Sequence, residues 1–232
     1  MSKKTNNAPD KKTADETPTG RAFVIETDTA LLHGITHSVT PLLALFKENG
    51  LELTPWQFIQ RVVGTTPERF VDQAFAGAKP ALSETMRSTV LAVLQQNAGR
   101  LVDEVGMIVN ELTPRNVKTV LVSALPDIRL KEMLGDGLKD QAQVVQVVRS
   151  HCFVYRADMW QAVCARVKAH PRLSVAVVGS AISCRSALGA GLHAVAAYDP
   201  IMEGNDFSGA DYVSAKVDKK LVMEGLRRLR LA

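Results

Sequence analysis

The amino-acid sequence predicts an α/β fold: a Rossmann-like parallel sheet flanked by helices, with a helical cap inserted after the first strand. Three observations carry this. Residues 22–25 form a short, apolar, partly β-branched run followed by two carboxylates, Glu26 and Asp28. Such a run suits a buried parallel strand, and open α/β sheets place their ligands at the C-terminal strand ends. The stretch 36–100 carries helical spacing and helix-start signals without a strand pattern. From about Leu101 onward, apolar runs alternate with single helical segments, the signature of parallel βαβ units.

Composition sets the class. The chain has 232 residues, 46% of them hydrophobic, which suits one core with an insertion. The net charge is +4, yet aromatics are only 5%. Basic residues are spread out apart from Arg227, Arg228 and Arg230 near the end, so no nucleic-acid partner is expected. Cys152, Cys164 and Cys184 are odd in number and lack metal-ligand spacing. Reduced thiols in a cytoplasmic protein account for them. The five histidines form no ligand pair, and no apolar run approaches membrane length, so no membrane association is expected.

Element by element, residues 1–20 are polar, with almost no large apolar side chains, and are expected to be a disordered tail. Residues 21–35 and 101–232 make the core, and 36–100 the cap. In the cap, Val39, Leu42, Leu43 and Phe46 share a helical face ended by Gly50. Thr54, Pro55 and Gln57 start a second helix as N-cap, first-turn proline and capping-box partner. Thr66 and Pro67 start a third, and Ser83 caps a fourth bearing Met86, Val90, Val93 and Leu94. In the core, a helix bearing Val102, Val105, Ile108, Val109 and Leu112 precedes a strand at 118–122. Further strands are expected at 144–148, 174–178, 193–197 and 211–214, separated by helices at 126–134, 157–169, 182–189 and 218–229. Whether Glu26 and Asp28 converge depends on how far the first strand stays extended.

This layout, with an acid pair after strand one, resembles the haloacid dehalogenase-like hydrolases, in particular the helical-cap subgroup of phosphoglucomutases and phosphoglycolate phosphatases. The resemblance covers about 21–232. The family's first motif, F-D-x-D-G-x-L, is matched by IETDTAL, so Glu26 stands where the nucleophilic Asp would be and Thr29 replaces the glycine. Asp28 matches the acid/base. The second motif is kept in VLVSALPD, which places Ser123 where a hydroxyl binds a phosphoryl oxygen. A strand-end Ser is also an ordinary helix cap. Aligning Asp158-Met159-Trp160 with the end of the third motif puts Val154 at the lysine position, with Arg156 two residues on. The fourth motif, usually E-D-S, becomes Val178-Gly179-Ser180, and Gly179 occupies the place of the magnesium-binding acid.

These substitutions imply a loss of chemistry. Glutamate sets the carboxylate about one methylene further out, and a misplacement of about 1 Å can cost roughly a hundredfold in rate. Without a cation or lysine, Glu26 and Asp28 would repel a phosphate dianion. The expected function is that of a phosphatase-like pseudoenzyme needing no cofactor. It would bind a phosphorylated metabolite through Arg156, Ser123 and Ser180, or bind a protein partner. The alternative is a weakened, magnesium-dependent hydrolase acting through Glu26, Asp28 and Ser123. A nucleotide site in the 179–191 loop is a third reading, but the loop lacks the G-x-G-x-x-G spacing.

Overall fold

A computed structural model describes residues 19–63, 67–74, 84–96, 101–123, 127–134, 136–138, 140–146 and 156–232. The chain enters through strand β1 (Gly20–Glu26) and a one-turn helix α1 (Thr27–Ala30). Four helices follow: α2 (Gly34–Glu48), α3 (Pro55–Val62), α4 (Pro67–Ala74) and α5 (Glu84–Gln96). The alternating part runs α6 (Val102–Leu112), β2 (Val117–Ser123), α7 (Asp127–Leu134), β3 (Ala142–Gln146), α8 (Ala157–Arg166) and β4 (Ala169–Val178). It finishes with α9 (Ala181–Gly189), β5 (His193–Ala197), β6 (Tyr212–Ser214) and α10 (Lys219–Arg228).

The six strands lie in the order β3-β2-β1-β4-β5-β6, and every pairing is parallel. Alternate residues of a strand face opposite sides, so β1 feeds two cores. Phe23 and Ile25 pack with α6, α7 and α10 on one face. Ala22 and Val24 pack with Trp160, Cys164 and Cys184 of α8 and α9 on the other. Helix α10 approaches β1 so closely that a Cβ on Gly225 would lie 2.6 Å from the Phe23 ring, and only glycine fits there. Burial pushes the Cys164 thiol up to about 11, so it packs as a small apolar group.

Helices α2–α5 form a separate cluster around Leu42, Phe46, Phe58, Phe70 and Val90. Phe58 and Phe70 meet edge-on at 5.3 Å between ring centroids. The α3 start has a full capping box: Gln57 N–H donates to Thr54 Oγ1 at 3.2 Å, and Thr54 N–H donates to Gln57 Oε1 at 2.9 Å. Thr66 and Ser83, the other expected starts, and residues 1–18 of the expected tail lie outside the described residues. Among the described residues, no helix is long and apolar enough to cross a membrane.

Boundaries depart from expectation by two residues or more at four elements. Strand β1 begins at Gly20 rather than 22, inside the stretch expected as a disordered tail, because Gly20 pairs with Ala169 of β4. Strand β3 begins at Ala142, two residues early, because Thr119 of β2 pairs with Ala142 and sets the register. Helix α8 stops at Arg166, where Lys168 takes a left-handed φ of 53° and reverses the chain. Strand β4 then begins at Ala169 rather than 174. The extra length is a bulge: Gly20 pairs with Ala169 and Ala22 with Ser174. The Ser174 hydroxyl donates to the His170 carbonyl across it at 2.9 Å, and Pro171, which has no N–H for the ladder, sits inside it.

Candidate functional site

The parallel strands β2, β1 and β4 end side by side, and their C-terminal residues bring most of the expected site together. Glu26 closes β1, Ser123 closes β2, and Gly179 and Ser180 follow β4. Glu26, Ser123 and Ser180 are all fully buried.

The two carboxylates diverge. The chain turns helical directly after Glu26, so strand alternation no longer aligns Glu26 with Asp28. Glu26 points to the β4 side. Its Oε2 accepts from the Gly179 N–H at 2.8 Å and from Ser183 Oγ at 2.5 Å. Ser180 is the N-cap of α9 and shares a capping box with Ser183: Ser183 N–H donates to Ser180 Oγ, and Ser180 N–H donates to Ser183 Oγ, each at 3.3 Å. The Glu26 carboxylate thus lies beside the start of α9, whose dipole favours an anion. Asp28 points to the β2 side and accepts a hydrogen bond from Ser123 Oγ. Ser123 does not cap α7, which begins four residues later at Asp127.

Thr29 and Gly179 fit one another. A Cβ built on Gly179 would lie 2.3 Å from Thr29 Oγ1, 2.5 Å from its Cβ and 2.6 Å from its carbonyl carbon. Thr29 is 5% exposed. Its side chain fills the space that any side chain at 179 would need.

Arg156 occupies the N-cap position of α8 without a side-chain cap bond. Its side chain is 70% exposed and pairs with Asp158 at 3.2 Å. Val154, at the expected lysine position, lies outside the described residues. Sequence reasoning missed Ser183. Its signal was the Ser180-x-x-Ser183 spacing, a short capping box directly after a strand. It also missed the complementarity of Thr29 and Gly179, which only three-dimensional proximity reveals.

A magnesium ion, which the family resemblance implies, does not fit these residues. A hard divalent cation wants several oxygen ligands. Here the expected second acid is a glycine whose side-chain space is taken by Thr29, which leaves the site one carboxylate short of the set that the resemblance implies. Among the described residues no group of three or more His, Cys, Asp or Glu is placed to hold a metal.

A Rossmann-like parallel sheet with an acid pair at the end of its first strand and a helical insertion after it defines a class of capped α/β proteins. The solved structures name the class: the chain has the fold of the haloacid dehalogenase-like phosphatases and phosphoglucomutases. It is similar to CbbY from Rhodobacter sphaeroides, solved as a D10N mutant with xylulose-(1,5)bisphosphate, at a TM-score of 0.65 and 13% identity over 85% of this chain and 95% of that one. A β-phosphoglucomutase from Clostridium difficile superposes at 0.63 with 13% identity, covering 92% of this chain and 100% of that one. A haloacid dehalogenase-like protein from Agrobacterium tumefaciens superposes at 0.60 with 17% identity, covering 90% and 99%. No family model matches the chain, and no curated protein matches it by sequence.

Proposed function

We propose that this chain keeps the phosphatase scaffold but has given up phosphoester hydrolysis, and that it works by binding a phosphorylated small molecule or a protein partner. The observation that carries this is the double occupation of the catalytic centre. The carboxylate at the nucleophile position is held by the Gly179 N–H and the Ser183 hydroxyl, and Thr29 fills the place of the metal-binding acid. Phosphoryl transfer depends on positioning and charge neutralisation, and both are compromised at the same spot. Among the described residues Arg156 is held by an exposed pair with Asp158, and since such pairs contribute about 0–1 kcal/mol it could turn toward a phosphate.

The intact Asp28–Ser123 hydrogen bond favours a second reading, a weakened hydrolase that retains its acid/base. Turnover separates the two. The purified full chain with magnesium is expected to show no hydrolysis of p-nitrophenyl phosphate, phosphoglycolate or hexose phosphates above buffer. Magnesium-dependent turnover that disappears in Asp28→Asn would establish the second reading instead. A thermal-shift screen of phosphorylated metabolites tests the binding role, and a stabilising compound is expected to lose its effect in Arg156→Ala. A screen without a stabilising compound would favour the protein partner.

A further inference from the structure

We propose that Asp199 is a latch that fastens the cap helices to the core, so that the cap moves only when this contact breaks. The chain passes from the core into the cap through α2, whose own start is poorly finished. Its N-cap is His33, in a left-handed conformation at φ 47°, with no side-chain cap bond. The first-turn N–H groups of a helix need acceptors. Here the acceptor comes from the segment after β5, two strands away from β1. The Thr36 N–H donates to Asp199 Oδ2 at 3.2 Å, and the Thr36 hydroxyl donates to the other carboxylate oxygen. The Ile201 N–H donates to Asp199 Oδ1 at 3.2 Å and also lies 3.2 Å from Thr36 Oγ1, which closes a ring between the two segments.

Asp199 lies just beyond β5 and is fully buried. A buried carboxylate stripped of its donors is costly, because the desolvation already incurred is no longer compensated. The apolar contacts run the same way. Met202 belongs to the cap's own hydrophobic cluster with Ile35 and Val39, and Tyr198 and Ile201 pack against it. A segment of the core, Tyr198 to Met202, is thereby built into the cap. The latch is independent of whether the site binds phosphate.

Hydrogen exchange of the full chain, read by peptide mass spectrometry, tests this. Thr36→Val removes the hydroxyl donor while keeping the side-chain shape, Thr36→Ser keeps the donor, and Asp199→Asn weakens the acceptor. Exchange in α2 and α3 is expected to rise about tenfold or more in Thr36→Val and Asp199→Asn, with β2 and α10 unchanged and Thr36→Ser like the parent, as for opening of one cooperative unit. Unchanged exchange in α2 and α3 would overturn the latch. So would an equal rise in β2 and α10, which marks general destabilisation. If Asp199→Asn does not fold, the Thr36→Val and Thr36→Ser pair decides by itself.

Discussion

At the scale of single residues, the centre of this molecule turns on what Thr29 and Gly179 deny each other. Gly179→Asp alone drives a new Cβ into Thr29 backbone and side chain. Such overpacking costs about 1–3 kcal/mol before the buried charge is counted. The single variant is expected to melt several degrees lower, and Thr29→Gly on top of it to recover only the part due to the Thr29 side chain, since the Thr29 carbonyl carbon 2.6 Å away remains, as measured by circular dichroism. An unchanged melting temperature in Gly179→Asp would show that Thr29 moves aside freely. On the proposed loss of hydrolysis, regaining it is expected to need at least Glu26→Asp, Val154→Lys, Gly179→Asp and Thr29→Gly together, because groups that act as a unit are not additive. The glycine at the place of the acid was legible in the sequence from the match of Val178-Gly179-Ser180 to the fourth motif. The reason the acid cannot simply be put back was not, because Thr29 and Gly179 lie 150 positions apart.

At the scale of elements, side-chain chemistry ties α6 to α10. Glu111 accepts from Lys219 at 2.7 Å and lies 3.5 Å from Arg115. The Lys219 hydrogen bond, aided by the charges of Lys219 and Arg115, holds the Glu111 carboxyl below its ordinary 4.5. A carboxyl lowered in the folded state stabilises fully above its ordinary value and loses that contribution as pH falls through the folded one. Glu111→Gln is thus expected to melt lower than the parent above about pH 4.5, with the gap closing as the pH drops below it. A gap that stays constant in melting scans from pH 3 to 7 would assign the loss to packing instead. Elements such as β5, expected at 193–197 and found at His193–Ala197, were legible because a parallel strand must be apolar on both faces. The bulge that begins β4 at Ala169 was not, since His170 and Pro171 break the apolar run and the pairing with Gly20 is unseen in the sequence.

At the scale of the whole molecule, the alternation of apolar runs and helices was enough to read the sheet and the inserted helical layer. The fastening of that layer to the sheet was not legible, because the Thr36–Asp199 contact spans 163 positions and neither residue belongs to a recognisable motif. The order of strands carries one more consequence, for how copies of the protein treat each other. Among the described residues strand β3 ends the sheet, and the stretch QAQVVQ from 141 to 146 has no charge and no proline. Natural proteins usually blunt a terminal strand with lysine or proline, since its outer backbone groups can template a neighbouring chain. Gln143 is exposed on this strand. Gln143→Lys is expected to reduce light scattering on heating at high protein concentration while leaving the melting temperature of dilute samples unchanged. If scattering is the same in both proteins, clumping starts elsewhere. If it falls, solubility at high concentration is limited by a single uncharged ribbon at the rim of the sheet.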